Sequence, residues 1–168
     1  VMKKKQSLSE VTKSIMSKLE KILIKTKPDL VIVHGDTMTT FAASLSAFFL
    51  KIKVAHVEAG LRTNNIYSPF PEELSRQLAS RIAEFHFAPT KTSKLNLIRE
   101  NIDSKKIFVT GNTVIDALKT TNEIIDHNEY LKKKIEINLK KIIDFKISSE
   151  KYILVTAHRR ENYGDGIF

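Results

Sequence analysis

Short apolar segments alternate with longer amphipathic segments along most of the chain. Five apolar runs rich in β-branched or aromatic residues predict buried strands, which begin near Leu30, Lys53, Phe85, Lys106 and Tyr152. Between them, apolar residues recur every three or four positions, and the clearest predicted helices cover residues 39–51, 71–84, 91–101 and 114–125. This alternation is typical of an α/β fold in which helices cover both faces of a parallel sheet.

An amphipathic helix is also predicted before the first strand. Ser7 and Glu10 have the spacing of a capping box, in which each side chain accepts a hydrogen bond from the backbone N–H of the other residue. Apolar residues then follow at helical intervals from Leu8 to Leu23. Pro28 is expected to end the helix, because proline cannot continue it.

The composition is that of a globular chain without cysteine. The 168 residues suffice for one ordinary domain, and 42% hydrophobic with 28% charged residues excludes the disordered class. No apolar run reaches the length of a membrane helix, and no apolar segment follows the basic N-terminus as a secretory signal requires. The lack of cysteine excludes disulfides, thiolate catalysis and cysteine zinc sites, and it agrees with a cytoplasmic location.

The formal net charge of +9 has two interpretations. A basic patch would indicate a nucleic-acid partner. The lysines are dispersed, however, and many lie at helical intervals between Ile and Leu residues in the segment 130–151. A solvated helix face explains this pattern better, so we predict no nucleic-acid partner. A basic surface would also suit an anionic small molecule.

Polar residues cluster directly after the predicted strands. Ligands bind beyond the carboxyl ends of the strands in open α/β sheets, so this rule groups residues that are distant in sequence. The group comprises His34, Gly35, Asp36, Thr37, Glu58, Gly60, Arg62, Gly111, Asn112, Thr113, His158, Arg159, Arg160 and Glu161. For Asp36, Thr37, Asn112 and Thr113, the alternative role is to cap the helix that follows.

Asp36 and Glu58 are predicted to meet as a pair of carboxylates in one cleft. Two neighbouring carboxyl groups suit acid/base chemistry, with one acting as the acid and the other as the base. His158 would add a group that changes charge near neutral pH. A metal site is the rival interpretation, but no HxH or HExxH spacing supports it, and we predict no metal.

The remaining polar signals are weaker. The other strand histidines are expected to be structural rather than catalytic: His34, His56 and His86. The segment HRRE at 158–161 suits a diphosphate, or its arginines pair with carboxylates such as Glu72 or Glu73. Neither a GxGxxG nor a GxxxxGK[ST] motif is present, so no dinucleotide site or P-loop is predicted.

Five segments follow one another in a characteristic order: VHGDT, HVEAGLRT, SPFPEELSR, GNTVIDAL and TAHRREN. Together they resemble the non-hydrolysing UDP-N-acetylglucosamine 2-epimerases of bacteria, and the similarity runs from about residue 10 to the C-terminus. HVEAGLRT followed by PFPEE favours this branch over the hydrolysing relatives.

The resemblance implies a reaction and an architecture. Such enzymes interconvert UDP-N-acetylglucosamine and UDP-N-acetylmannosamine by inverting C2 of the sugar. The route is anti elimination of UDP followed by re-addition of UDP, with neither a cofactor nor a metal. The fold is a two-domain glycosyltransferase-B-like (Rossmann-like) architecture with the active site between the domains. A homodimer and a role in making cell-envelope polysaccharide are the further expectations.

The resemblance also assigns site residues by their motifs. The catalytic candidates are Asp36, Glu58, Glu72 and His158, and the substrate-binding candidates are Asp36, Glu58, Arg62, Asn112, His158 and Arg159. A second UDP-N-acetylglucosamine, bound as an activator, is expected near Arg159 and Glu72. The segment 56–73 would carry Glu58 into the cleft and cover the sugar, because removal of the weakly acidic C2 proton needs a positioned carboxylate and exclusion of water. The alternative is a long structural connection.

The resemblance further predicts a chain truncated at both ends. Residues 1–142 would form an N-terminal α/β domain without its first strands, and residues 143–168 a linker and the first strand of a C-terminal nucleotide-binding domain. The 168 residues alone are then expected to be inactive or nearly so. Three alternatives stay open: a nucleotide-sugar glycosyltransferase of the same fold, a hydrolysing epimerase, and a non-catalytic regulatory or assembly module.

Overall fold

The computed structural model describes residues 6–143 and 150–156. Its centre is a parallel four-stranded sheet with the strands in chain order. The strands are β1 (Leu30–His34), β2 (Lys53–Val57), β3 (Phe85–Ala88) and β4 (Ile107–Val109). The helices are α1 (Leu8–Thr26), α2 (Met38–Phe49), α3 (Glu72–Ile82), α4 (Lys91–Arg99), α5 (Thr113–Asp126) and α6 (Glu129–Leu139). Four of the five predicted strands and the predicted helices are therefore confirmed.

The start of α1 has the predicted capping box. The backbone N–H of Ser7 donates to Glu10 Oε2 at 2.8 Å, and the backbone N–H of Glu10 donates to Ser7 Oγ at 3.2 Å. The helix ends at Thr26, and its C-cap residue Lys27, directly before Pro28, has a left-handed backbone (φ 44°). Both ends thus lie where the sequence predicts them.

The order of the strands explains where the helices lie. Right-handed crossovers are nearly universal between parallel strands, so successive crossovers in one direction bring every connecting helix to the same face. That face carries one row of side chains in register: Val33, His56, His86 and Ile107. One apolar core forms there between α1, α2 and the first two strands, and a second forms between α4 and the last two.

The opposite face of the sheet is largely open in the described part of the chain. Ile32 and Phe108 belong to this face, and they are 66% and 44% exposed. The prediction of helices on both faces therefore holds for one face only among the described residues. The alternation of apolar strands and helices does not show which face of the sheet each helix covers. The rule of right-handed crossovers gives that face only when the order of the strands in the sheet is known, and the sequence does not give this order.

The prediction of a strand that begins near Tyr152 is wrong for the residues that the structure describes there. No residue from 150 to 156 has strand structure, and Ile153 is 90% exposed. An apolar segment becomes a strand only where another strand supplies hydrogen bonds to its backbone, and none is placed beside this segment in the described chain. Residues 157–162 of the prediction lie outside the described residues. The boundary proposed near residue 142 stays a prediction.

The lysine-rich segment begins in a separate helix. The chain breaks between α5 and α6 at Asn128, whose side chain accepts a hydrogen bond from the backbone N–H of Leu131 at 2.9 Å. Lys132, Lys133 and Lys134 are exposed on α6, as expected of a solvated face. Within the described ranges, no helix has the length and hydropathy to cross a membrane.

Candidate functional site

Three strand ends converge on Glu58, which directly follows β2. His34, the last residue of β1, places Nε2 3.6 Å from Glu58 Oε2. Asn112, after β4, donates from Nδ2 to Glu58 Oε1 at 3.4 Å. The predicted gathering of polar residues at the carboxyl edge of the sheet is confirmed for these positions. Both contacts are long, and the Glu58 side chain is 29% exposed, so its carboxylate keeps room for another partner.

Glu58 has a backbone conformation that is unusual for its residue type. Its φ of 68° lies in the left-handed region, where a side chain normally costs about 1 kcal/mol or more. The neighbouring turn contains Gly35, with φ 74°, and a methyl group there would lie 3.5 Å from Glu58 Oε2. Glycine at position 35 therefore permits the turn and leaves space beside the carboxylate.

Asp36 lies one residue beyond Gly35 and is held by α3. Its Oδ2 accepts a short hydrogen bond from Nη2 of Arg76. Asp36 does not cap α2, because Thr37 occupies the N-cap position of that helix. The Thr37 side chain makes no capping hydrogen bond to the backbone.

Asn112 combines the two roles that the sequence left open. Its Oδ1 accepts a hydrogen bond from the backbone N–H of Val114 at 3.0 Å and so caps α5, while its Nδ2 donates to Glu58. Thr113 is the first residue of the helix rather than its cap. The helix cap thus also orients the amide toward the candidate site.

The two glutamates at the start of α3 differ sharply. Glu72, the catalytic candidate, is half-buried, and its side chain makes no hydrogen bond or ion pair within the described chain. Glu73 is fully buried and accepts hydrogen bonds from the backbone N–H groups of Thr63 and Asn64 at 3.1 and 3.3 Å. Glu73 therefore fixes the loop that follows β2, and Glu72 is the residue with an available carboxylate.

Arg62 is committed to protein partners in this structure. Its side chain is buried, and it donates from Nε and Nη2 to the two carboxylate oxygens of Glu100 at 2.6 and 2.9 Å. Nη2 also donates to Ser80 Oγ at 3.0 Å. These bonds tie the start of the loop to α3 and α4, so Arg62 suits a role in positioning the loop. Its predicted contact with substrate stays a proposal.

His158 and Arg159 lie outside the described residues. Among the residues that are described, no three or more His, Asp or Glu side chains are grouped so as to hold a metal ion.

Two buried histidines lie side by side beneath the candidate site, in register on β2 and β3. Nε2 of His56 donates to the Gly35 carbonyl at 2.7 Å, because a carbonyl can only accept, and so supports the turn that carries Asp36. Neither ring nitrogen of His86 has a hydrogen-bond partner in the described chain. Both histidines are fully buried, as expected of structural histidines, but His86 is not satisfied by hydrogen bonds.

Burial sets the protonation of this pair. It lowers the pKa of His56, against the opposing effect of the hydrogen bond to Gly35. Burial, and to a lesser extent the neighbouring His56, lowers the pKa of His86 from 6.5 to about 4. Both rings are therefore neutral at pH 7.

Acid is expected to destabilise the fold through His86. Between pH 6.5 and about 4 the unfolded histidine binds a proton that the folded one does not, so the free energy of unfolding rises with pH in this window and falls on acidification. The full effect of His86 is roughly 3 kcal/mol. Urea unfolding at pH 7 and pH 4 should show that His86→Leu loses less stability than the wild type. His127→Leu, at an exposed histidine, should lose as much as the wild type, and equal losses in all three proteins would contradict the prediction.

Asp36 and Glu58 therefore form a candidate site at the carboxyl edge of the parallel sheet. Comparison with known proteins identifies the family of the chain. The sequence model of the UDP-N-acetylglucosamine 2-epimerases matches residues 1–167. The chain belongs to this family. The UDP-N-acetylglucosamine 2-epimerase of Neisseria meningitidis is 54% identical over 167 residues, which cover 99% of this chain and 44% of that relative. The Escherichia coli K12 epimerase is 48% identical over 166 residues, which cover 99% of this chain and 43% of that one.

Solved epimerase structures have the same fold. The N. meningitidis epimerase, described as bound to UDP-GlcNAc, gives a TM-score of 0.88 at 53% identity and covers 99% of this chain and 44% of that one. The Methanocaldococcus jannaschii epimerase, described as a complex with UDP-GlcNAc and UDP, gives 0.76 at 42% identity and covers 83% and 37%. The glycosyltransferase-B-like fold class is thus confirmed. The chain spans less than half the length of these relatives.

The residues that sequence reasoning missed belong to α3. The sequence predicts no role for Arg76, and for Glu73 only an ion pair with the arginines of HRRE as one alternative, although both lie in the SPFPEELSR segment that carries the family resemblance. Their spacing of three residues on a helix was the available signal, because it places the two side chains on one face.

Proposed function

We propose that this chain supplies the Asp36 and Glu58 half of the active site of a non-hydrolysing UDP-N-acetylglucosamine 2-epimerase. The observation that carries the proposal is the convergence of three strand ends on Glu58, in a chain of the epimerase family. The substrate is UDP-N-acetylglucosamine, and its product is UDP-N-acetylmannosamine. Neither a cofactor nor a metal takes part.

Glu58 is the group we assign to the C2 proton. Its hydrogen bond from Asn112 is long, His34 lies 3.6 Å away, and its carboxylate is partly open, so it retains lone pairs for a proton. Asp36 is engaged by the Arg76 guanidinium, so it suits hydrogen bonds that orient the sugar rather than proton abstraction.

The reaction then proceeds in two balanced steps. Glu58 takes the proton from C2, a double bond forms between C1 and C2, and the bond from C1 to the UDP oxygen breaks with its electron pair leaving on UDP. UDP next adds back to C1, and a proton returns to the opposite face of C2. A second acid is needed on that face, and we assign this role to Glu72 or His158.

The roles of the other site residues belong to the same proposal. Arg62 positions the loop that follows β2, Asn112 orients Glu58, and Arg159 binds the diphosphate with His158. The activator site for a second substrate molecule, the homodimer and the cytoplasmic location are further expectations.

Proton NMR in deuterium oxide tests the proposed function. UDP-N-acetylglucosamine would be incubated with the 168-residue chain and, separately, with the full-length polypeptide that carries it. We expect deuterium at C2 together with UDP-N-acetylmannosamine from the full-length polypeptide, and little or no reaction from the 168 residues alone. Release of free N-acetylmannosamine would favour a hydrolysing epimerase. Turnover only with an added acceptor would favour a glycosyltransferase, and binding without exchange a non-catalytic module.

A further inference from the structure

Arg76 lies between two carboxylates that serve different parts of the candidate site. It projects from the second turn of α3, and its side chain is only 8% exposed. Nη2 donates to Asp36 at the end of β1, and Nη1 lies 3.6 Å from Glu73 Oε2. A buried guanidinium with two carboxylate neighbours is oriented by both of them, because its nitrogens form a rigid planar fork.

Glu73 connects this arginine to the loop after β2. One of its oxygens accepts the backbone N–H of Thr63 at 3.1 Å, and the other accepts that of Asn64 at 3.3 Å and Nε2 of Gln77 at 2.9 Å. Glu73 has no exposed surface, so these bonds are made without competition from water. The loop that follows Glu58 is therefore fastened to the same helix that holds Asp36.

We propose that Arg76 is a positioning residue of the epimerase reaction, which aligns Asp36 and, through Glu73, couples that alignment to the loop at Thr63 and Asn64. The inference rests on the proposed function. Arg76 does not need to touch the substrate for this role. It acts by fixing a carboxylate that does.

Stability alone gives a poor reason for this arrangement. Burying a guanidinium and a carboxylate costs desolvation energy that their attraction often does no more than offset. Nε of Arg76 is also buried without a hydrogen-bond partner in the described chain, which adds to the cost. An apolar side chain at this position of α3 would be buried without this desolvation cost. The geometry points instead to orientation of Asp36, which lies in the turn next to Glu58.

The substitution Arg76→Lys separates the effect of charge from the effect of geometry. It keeps the positive charge, but a single ammonium group cannot reproduce a planar fork directed at both Asp36 and Glu73. A displacement of about 1 Å in a catalytic group can lower the rate by roughly 100-fold. We therefore expect Arg76→Lys to lower kcat for C2 exchange by about 10- to 100-fold, with KM changed little. Arg76→Met should lower kcat further, because both charge and geometry are lost.

The test compares these variants with Arg81→Lys in the full-length polypeptide. Arg81 lies on the same helix and donates from its exposed guanidinium to the Glu100 carbonyl at 2.9 Å, so it controls for a change of arginine on α3. For each variant, kcat and KM for C2 deuterium exchange would be measured beside urea unfolding, and Asp36 would be located in crystal structures of the wild type and Arg76→Met. We expect Arg81→Lys to keep the wild-type kcat, and Asp36 to be displaced in Arg76→Met.

The outcomes separate this inference from the function on which it rests. Wild-type kcat in Arg76→Lys and Arg76→Met would overturn the positioning role, and so would losses of kcat that merely follow the fraction of unfolded protein. If the wild type shows no C2 exchange, the proposed function fails, and the crystal structures then test only the alignment of Asp36 by Arg76. An Asp36 carboxylate in the same place without Arg76 would overturn it, and a displaced one would support it.

Discussion

Replacement of Gly60 by alanine is expected to prevent stable folding. Gly60 follows Glu58 by two residues, has φ 86°, and lies directly against α4. An added Cβ would lie 2.2 Å from the Ser93 carbonyl oxygen and 2.8 Å from its carbon. Both are backbone atoms inside a helix and cannot move aside independently. The Gly60 carbonyl also accepts a hydrogen bond from Asn96 Nδ2 at 2.9 Å, so separating the loop from α4 would break a second contact.

The expected loss for Gly60→Ala is at least about 4 kcal/mol, a size that single substitutions reach only through a specific defect such as a backbone clash. Gly111→Ala is the matched control. Gly111 has nearly the same backbone, φ 84°, but nothing lies within 4 Å of its added Cβ. It should lose only the cost of a side chain in the left-handed region, about 1 to 2 kcal/mol. Urea unfolding curves of both variants measure the difference. Similar losses would mean that backbone strain, rather than contact with α4, requires glycine at position 60.

The strands and their polar ends could be predicted from the sequence because each depends on local pattern. Continuous apolar runs at Leu30 and Lys53 predict buried parallel strands. The residues that follow them must then lie at one edge of the sheet, because parallel strands share a direction. Asp36, Glu58 and Asn112 were found in this way, and the structure places each of them at the carboxyl end of a strand.

The partners of these residues could not be predicted, because a partner is set by tertiary distance rather than by sequence spacing. Nothing near Arg62 in the sequence indicates that it pairs with Glu100, 38 positions away. Likewise, the adjacent Glu72 and Glu73 look alike in a motif, but a helix turns 100° between them. One side chain therefore enters the core while the other stays near the surface, and only the packing of α3 decides which one.

The apolar segment at Tyr152 shows the same limit for secondary structure. Its Ile, Leu and Val residues have high strand propensity, yet the described residues form no strand. Propensity describes how well a side chain fits a pleated, half-buried surface, and it does not provide the neighbouring strand on which that surface depends. Strands β1 to β4 satisfy this condition because they pair with one another, whereas residues 150–156 have no such neighbour in the described chain.

The structure also shows which side chains hold the candidate site residues. Glu58 and Asp36 lie on short turns, and the turn that carries Asp36 is held by two buried side chains. Nε2 of His56 donates to the Gly35 carbonyl, and Arg76 holds the Asp36 carboxylate. Buried polar groups of this kind contribute little net stability, but they reduce the freedom of the carboxylates before a ligand arrives. Under the proposed function, the alignment of Asp36 would then depend on residues that need not contact the sugar.

Removal of either site carboxylate is expected to have the largest effect on activity. Glu58→Gln keeps the shape and the contacts to His34 and Asn112 but cannot accept a proton, so kcat for C2 exchange should fall by about 10²- to 10⁴-fold. Asp36→Asn should also lower kcat, and by a smaller factor, because the amide keeps one hydrogen bond from Arg76 while losing the ion pair.

The comparison must separate lost chemistry from lost structure. Glu84→Gln is the matched control, because Glu84 forms a partly exposed ion pair with Lys106 at 3.0 Å and should keep wild-type kcat and stability. Deuterium exchange at C2 and urea unfolding would be measured for all three variants in the full-length polypeptide. A Glu58→Gln protein with normal folding and normal exchange would exclude Glu58 as the base. A larger loss in Asp36→Asn than in Glu58→Gln would reverse the two roles, since the carboxylate held by Arg76 would then be the one that takes the proton.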